Sequence, residues 1–291
     1  MKRFALIACA SALFTLVFFA PVVVSAQAGA AQQATTSAAA PPAAAAAHAS
    51  AVTTACPKTW IGREAEVEEF MQSAPIVNMA EVPIGVTKPK RAYFAPGGPV
   101  ESAAWKQLTP GVRQGYYESY KAEIAAYEMD RLLGLHMVPP YVERRIGGDL
   151  GALGFWVERV HAWDVDHPVK GPDQAMWDRQ AVDMKMFDQL IGNTDRNQGN
   201  LLYDDEYHLI LIDHSRAFTG EKDLTKMAKL THVDRELWQK MLALDETQLE
   251  QALGKWLDKG KRKAILQRRE EMKKNIDALV AQKGEAAVFL R

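Results

Sequence analysis

The chain of 291 residues carries 35 basic and 36 acidic residues and two cysteines. Charges that nearly cancel give nucleic acid no footing, and with one cysteine inside the leading apolar run only Cys56 remains for a mature chain, so an internal disulfide is excluded. Stability has to come from packing, and the length suffices for a sizeable core.

Lys2 and Arg3 precede an apolar run from Phe4 to Val24, and Val24-Ser25-Ala26 supplies the small residues a signal peptidase accepts. Residues 1–26 therefore read as a cleaved secretory signal. The run is long enough to serve as an anchor, but Pro21 and the small-residue site favour cleavage. The mature chain is expected to be exported, periplasmic or extracellular, with no stable membrane insertion. Residues 27–55 are mostly Ala, Thr, Ser, Gln and Pro, with no acid, lysine or arginine, a composition that cannot offset the entropy of ordering and predicts a flexible tether. Residues 56–291 form the expected domain, with a first lobe over about 81–160 and a second over 161–291.

Residues 81–108 hold β-branched and aromatic residues broken at Thr87-Lys88-Pro89 and at Pro96-Gly97-Gly98-Pro99, which predicts three short antiparallel strands. "SYKAEIAAYEMDRLLGL" follows, with an apolar stripe at Ala125, Met129, Leu132 and Leu133, and predicts an amphipathic helix stopped by Gly134 and packed on that sheet. "PPYVERRI" and "GALGFWVERVHAW" read as two more strands around Gly147-Gly148-Asp149. A helix from Gln174 to Ile191 ends at Gly192. Beyond Asp223 three helical stretches, "LWQKMLAL", "LEQALGKWL" and "AILQRREEMKKNIDALV", make the second lobe largely α. The basic run Lys259 to Lys263, with Arg268 and Arg269, reads as a solvated helix face.

Between these lies "IGNTDRNQGNLLYDDEYHLILIDHSRAF", residues 191–218. Leu201–Tyr203 and Tyr207–Ile212 predict a hairpin turning at Asp204-Asp205-Glu206, which brings Asn200 and Asp213 to its open end, short of one another by roughly 10 Å unless the chain bends back. An amide oxygen and a carboxylate aimed at one space suit a hard cation such as Mg²⁺ that keeps phosphate and water ligands. Asp195 in the preceding loop is then free to orient a hydroxyl and take its proton. Phosphoryl transfer asks for this set, with an Asp five residues ahead of an Asn and a metal-binding Asp after the hairpin. It also asks for a strand lysine and a helix glutamate, which Lys106 at the end of "SAAWK" and Glu123 supply in order.

The motifs "AAWK", "EIAAYEMDRLLGLHMVPP", "FDQLIGNTDRNQGNLL" and "LILIDHSRAF" resemble the kinase-like fold shared by phosphatidylinositol kinases, HipA-like kinases and secretory-pathway kinases of caseins and proteoglycan sugars, over roughly residues 81–270. The resemblance implies an α+β, two-lobed protein-kinase-like fold, with a small antiparallel β-sheet and one helix in the first lobe and a mostly α second lobe. It implies a metal-dependent kinase using ATP with Mg²⁺ or Mn²⁺ and a hydroxyl acceptor on a protein, glycan or lipid. Lys106 would contact phosphate, Glu123 would orient it, Asp195 would be the catalytic aspartate, and Asn200 and Asp213 would bind metal. Gly85 to Thr87 stands where a loop would cover the phosphates, and Trp156, in the link between lobes, would face the base. The chain departs from the protein-kinase pattern in lacking G-x-G-x-x-G and in having His214-Ser215 after Asp213.

The same residues admit other readings. Taken singly, Asp195 and Asn197 read as turn formers; the ordered set with Asn200 and Asp213 outweighs that. Counting from Asp195 gives an EF-hand-like spacing to Glu206, but Gly199 and Asn200 are in the wrong order and the exit is a strand. His208 and His214 have no second pair for zinc, and Ser215 has no triad partner. ATP is scarce outside the cytoplasm, so a catalytically inactive module that holds a nucleotide or partner stands as the alternative function.

Overall fold

The computed structural model describes residues 58–83, 89–164 and 171–290, all within one compact unit, Val52–Arg291. The expected signal, the tether, Cys56, Gly85 and Thr87 lie outside the described residues. Among the described residues no helix is long and apolar enough to cross a membrane.

The first lobe opens with α1 (Glu64–Ser73), followed by β1 (Ile76–Glu81), β2 (Lys90–Phe94) and β3 (Ser102–Lys106). A small hairpin, β4 (Gly111–Arg113) and β5 (Tyr116–Glu118), leads into α2 (Tyr120–Leu133), and β6 (Tyr141–Ile146) and β7 (Asp149–Phe155) complete the lobe. Five strands form one antiparallel sheet in the order β1-β2-β3-β7-β6. Alternation along β3 sends Ala103 and Trp105 into a core with Trp60, Val67 and Met71, while Lys106 points to the opposite face. Glycine at 154 on β7 makes room for the ring of Tyr141, because a Cβ there would lie 2.2 Å from it.

Two of the three strands expected over 81–108 are β2 and β3, but the first pairs earlier, at 76–81. The one helix expected over 81–160 is α2, and a further helix, α1, precedes those bounds. The additional α1 buries only Val67 and Met71 in an acid-rich segment, too narrow a stripe to be read as a helix. Along α2 the expected stripe is only partly buried: Leu132 is exposed, whereas Ile124 and Tyr127 are in the core.

The second lobe contains β8 (Val160–Ala162), α3 (Gln174–Ile191), a 3₁₀ turn (Gln198–Asn200), β9 (Leu201–Asp204) and β10 (Leu209–Leu211), with the three strands ordered β10-β9-β8. The C-terminal part holds β11 (Val233–Asp234), α4 (Arg235–Ala243), α5 (Glu246–Leu253), α6 (Lys259–Lys283), α7 (Glu285–Val288) and β12 (Phe289–Leu290). Both expected helix stops, Gly134 and Gly192, are left-handed at φ +67° and +68°.

The basic segment of α6 is not a solvated face throughout. Arg262 and Arg268 are buried, and Arg268 donates to the carbonyls of Leu190, Thr219 and Glu221, fastening α6 to the end of α3 and to the stretch after residue 218. Burial pulls its guanidinium down to about 10.

Candidate active site

Strands β9 and β10 pair with Leu201 opposite Leu211, so Ile212 falls opposite Asn200 and donates its N–H to the Asn200 carbonyl at 3.2 Å. A tight turn at 204–206 would have put Ile210 there. The register is two residues wider because the Asp204 carboxylate accepts from the N–H of Glu206 (2.9 Å) and of His208 (2.8 Å), and Tyr207 takes φ +66°. The turn thus absorbs 205–208, and a shift of two leaves every side chain on its expected face. Asp213 becomes the next residue beyond the Asn200 pair, which removes the gap that the tighter turn implied.

Asp213 has φ +58°, a left-handed conformation that only a few per cent of non-glycine residues adopt and that turns its carboxylate out of the strand direction. Its Oδ1 lies 2.9 Å from Lys106 Nζ and accepts the Ser215 hydroxyl at 3.0 Å. On its other side Lys106 Nζ donates to Glu123 Oε1 at 2.7 Å, and Glu123 Oε2 accepts the backbone N–H of His214 at 2.9 Å. Strand β3, helix α2 and the exit of the hairpin therefore meet at one ammonium group. Glu123 is 0% exposed and Lys106 8%, so water screens neither charge. Burial alone would lower the Lys106 pKa, but the charges of Glu123 and Asp213 outweigh it and hold the ammonium above its ordinary range. Burial would also raise Asp213, yet Lys106 and the Ser215 hydroxyl hold its carboxyl well below the usual range. For Glu123 burial prevails and its pKa is raised, with the nearby Asp213 charge adding to the rise.

The loop before the hairpin is organised by Arg196, which sequence reasoning missed. Its guanidinium donates to both oxygens of Asp188 (3.0 and 2.9 Å) and to the carbonyls of Asn200 (2.6 Å) and Ile212 (3.0 Å), and it lies 2.8 Å from His214 Nε2. One side chain on the loop thereby fixes both strand ends that carry the candidate metal ligands. Burial, then the Arg196 charge, holds His214 well below its usual pKa, so the ring is neutral and offers Nε2 as an acceptor. Asn200 donates Nδ2 to the Asp195 carbonyl at 3.0 Å, which leaves its amide oxygen as the end able to ligate a cation. Asp195 itself is half-buried, with Oδ2 3.2 Å from Arg216, and Arg216 is held in turn by Glu118 at 2.9 Å and stacked over Tyr116.

No protein-family model matches the sequence, and no curated protein matches it. Solved structures do match. A hydra Fam20 structure with sugar is 17% identical over 79% of this chain and 92% of that one, with a TM-score of 0.60. The Golgi casein kinase is 15% identical over 78% of this chain and 79% of that one, with a TM-score of 0.59. The Golgi casein kinase with Mn and ADP bound is 15% identical over 79% of each chain, with a TM-score of 0.58. The chain has a kinase-like fold.

Of the remaining expected residues, Trp156 is described and Gly85 and Thr87 are not. Trp156, just past β7, donates its N–H to the Ser102 carbonyl at 3.2 Å, and its ring is stacked against the guanidinium of Arg91, 4.4 Å from the centroid. Arg91 also donates to the Ser102 hydroxyl at 2.9 Å and pairs with Glu158. Gly85 and Thr87 are in the undescribed 84–88 stretch. Glu206, the last residue of the EF-hand-like count, sits in the hairpin turn, with all of β9 between it and Asn200.

A divalent cation with nucleotide phosphates fits the chemistry of this donor set: a depressed carboxylate 2.9 Å from a buried ammonium, with Asn200 on the adjoining strand end.

Proposed function

We propose that this chain is an exported, metal-dependent kinase-like phosphotransferase that moves the γ-phosphate of ATP to a hydroxyl of a protein, glycan or lipid acceptor. The observation that carries the reading is the ammonium of Lys106 held between Glu123 at 2.7 Å and Asp213 at 2.9 Å, a strand lysine tied to a helix acid and to the aspartate after the hairpin. An isolated structural ion pair has no need of the second carboxylate. A solved neighbour that carries Mn and ADP supports a nucleotide and a divalent ion as ligands. Export is supported by the leading sequence, residues 1–26.

In this reading Lys106 binds nucleotide phosphate, and Glu123 keeps its ammonium aimed. Asn200 and Asp213 hold Mg²⁺ or Mn²⁺, which when bound neutralises phosphate charge. Asp195 accepts the proton of the acceptor hydroxyl as the acceptor oxygen bonds to the γ-phosphorus and the bridging bond to ADP breaks. Arg216 orients the Asp195 carboxylate through the 3.2 Å pair. Trp156 and Arg91 border the space for the base.

Transfer of labelled γ-phosphate from ATP to a panel of protein, glycan and lipid acceptors, with Mg²⁺ or Mn²⁺, tests the reading. Metal-dependent labelling of one acceptor class, lost in Asp195→Asn, is expected. Saturable nucleotide binding with neither transfer nor ATP hydrolysis would replace it with a non-catalytic binding module.

A further inference from the structure

Away from the Lys106 site, the described residues line a half-open cavity of about 330 Å³ between the first turn of α2, Ala217-Phe218 and the loop that enters α6. Its cationic lining comes from three elements: Lys121 on α2, Lys255 before α6, and Lys261 and Arg262 on α6. Asp258 is the one acid in the lining, and its carboxylate already accepts the Lys261 backbone N–H at 3.0 Å as the helix cap.

The three lysines are only loosely neutralised. Lys121 has no ion-pair partner among the described residues. Lys255 lies 3.9 Å from Glu143 and Lys261 3.6 Å from Asp258, long distances for an ion pair, and Lys261 also donates to the Tyr117 hydroxyl at 3.1 Å. Arg262 pairs with Glu250 and donates to the Leu257 carbonyl, yet it is buried and its Nε has no hydrogen-bond partner among the described residues. Trp256 and Tyr117 supply flat walls beside the charges, with Lys255 over one ring and Lys261 over the other. Arg262 is thus a structural post that ties α6 to α5 and to the loop before it, and the free donors of the wall are the three lysines.

We infer that this cavity is a binding site for a small phosphorylated molecule. Several donors around a concave wall suit a phosphate dianion, the size is at the low end for small-ligand sites, and the aromatic walls suit the sugar or polyol that carries the phosphate. The site is built from residues the phosphotransfer reading does not use. Its position gives it a route to that reading all the same, because Lys121 stands two residues before Glu123 on α2, and Ala217 follows Asp213 by four. An occupant gripped by Lys121 and seated against Ala217 steadies both elements that hold Lys106.

Calorimetric titration with inorganic phosphate and with glucose 6-phosphate, in the absence of nucleotide and metal and at a temperature where circular dichroism shows each protein folded, tests the inference on the wild-type chain, on Lys106→Ala and on Lys121→Ala/Lys255→Ala. The expected result is saturable binding that survives Lys106→Ala, is tighter for the hexose phosphate, and weakens roughly tenfold or more in the double variant as two charge-assisted contacts are lost. Lys121→Gln alone, on a side chain with no ion pair to break among the described residues, is expected to weaken it in the same direction and guards against misfolding of the double variant. Absence of saturable binding to either probe, or binding that Lys106→Ala abolishes and the double variant keeps, would overturn it. Because neither ATP nor turnover enters, failure here leaves the phosphotransfer reading untouched.

Discussion

Asp213 and Asp195 have different work in the proposed site, and asparagine at each position separates the two roles. Asp213→Asn removes the charged ligand, so metal-dependent nucleotide binding and transfer are expected to fall together. Asp195→Asn keeps the shape but cannot take a proton, so binding persists while the chemical step slows by on the order of 10² or more. Titrating both variants with Mg²⁺-ATP and with Ca²⁺ alone checks this; calcium binding lost in Asp195→Asn without any nucleotide dependence would remove both assignments. The buried pair gives a second prediction. Lys106→Ala strands Glu123, fully buried, beside a second carboxylate, so it is expected to cost about 3–5 kcal/mol of stability as well as nucleotide affinity. The isosteric Lys106→Met/Glu123→Gln double variant should recover most of the melting temperature and none of the affinity, and recovered affinity would show that this lysine does not hold the phosphates. Lys106, Glu123, Asp195, Asn200 and Asp213 could be named from order and spacing alone, because phosphoryl transfer fixes which groups must follow which. Arg196 could not: its five contacts reach residues 188, 200, 212 and 214, and nothing local in "TDRNQ" announces them.

At the scale of elements, the helices with a broad apolar face and a glycine stop were legible to within a residue or two, α3 to the residue. Elements that draw little on their own sequence were not: α1 offers two buried side chains, and β4 and β5 are three residues each. The hairpin shows the limit most sharply, since its strands were read and its register was not. Register depended on Asp204 binding the turn's own N–H groups, a side-chain choice that apolar alternation does not record. Helix α3 also carries a pH effect. Burial, then the neighbouring Asp234 charge, pushes Asp183 up to about 7, and its Oδ1 has no hydrogen-bond partner among the described residues. A carboxyl whose folded pKa lies above its unfolded value binds more protons when folded, so ionising it subtracts stability as pH rises from about 4 to about 7. Asp183→Asn is therefore expected to stabilise the fold by about 1–2 kcal/mol at pH 8, after discounting for partial exposure, and by little at pH 4. Thermal melts at the two pH values check it; an equal gain at both would mean that the carboxyl's charge is not the cause.

For the whole molecule the question is where the folded unit begins. Composition predicts a tether at 27–55, where no acid, lysine or arginine is present and few side chains could fill a core. The described fold is anchored immediately beyond it. Trp60 is 1% exposed and packs against the Phe155 ring at 5.4 Å, and Lys58 donates to the His136 carbonyl at 2.8 Å, so the first described residues close the outer face of the sheet and reach the turn after α2. Two changes close together in sequence should then differ widely in effect. Deleting residues 27–55 is expected to leave the melting temperature and any transfer activity of the remainder unchanged. Trp60→Ala, five residues beyond that deletion, opens the core shared with Val67, Met71 and Trp105 and is expected to cost about 3–5 kcal/mol. Denaturant unfolding of the two variants beside the wild type decides it. A large loss on the deletion would show that the tether docks on the fold, whereas a mild effect of Trp60→Ala would move the start of the stable unit to α1.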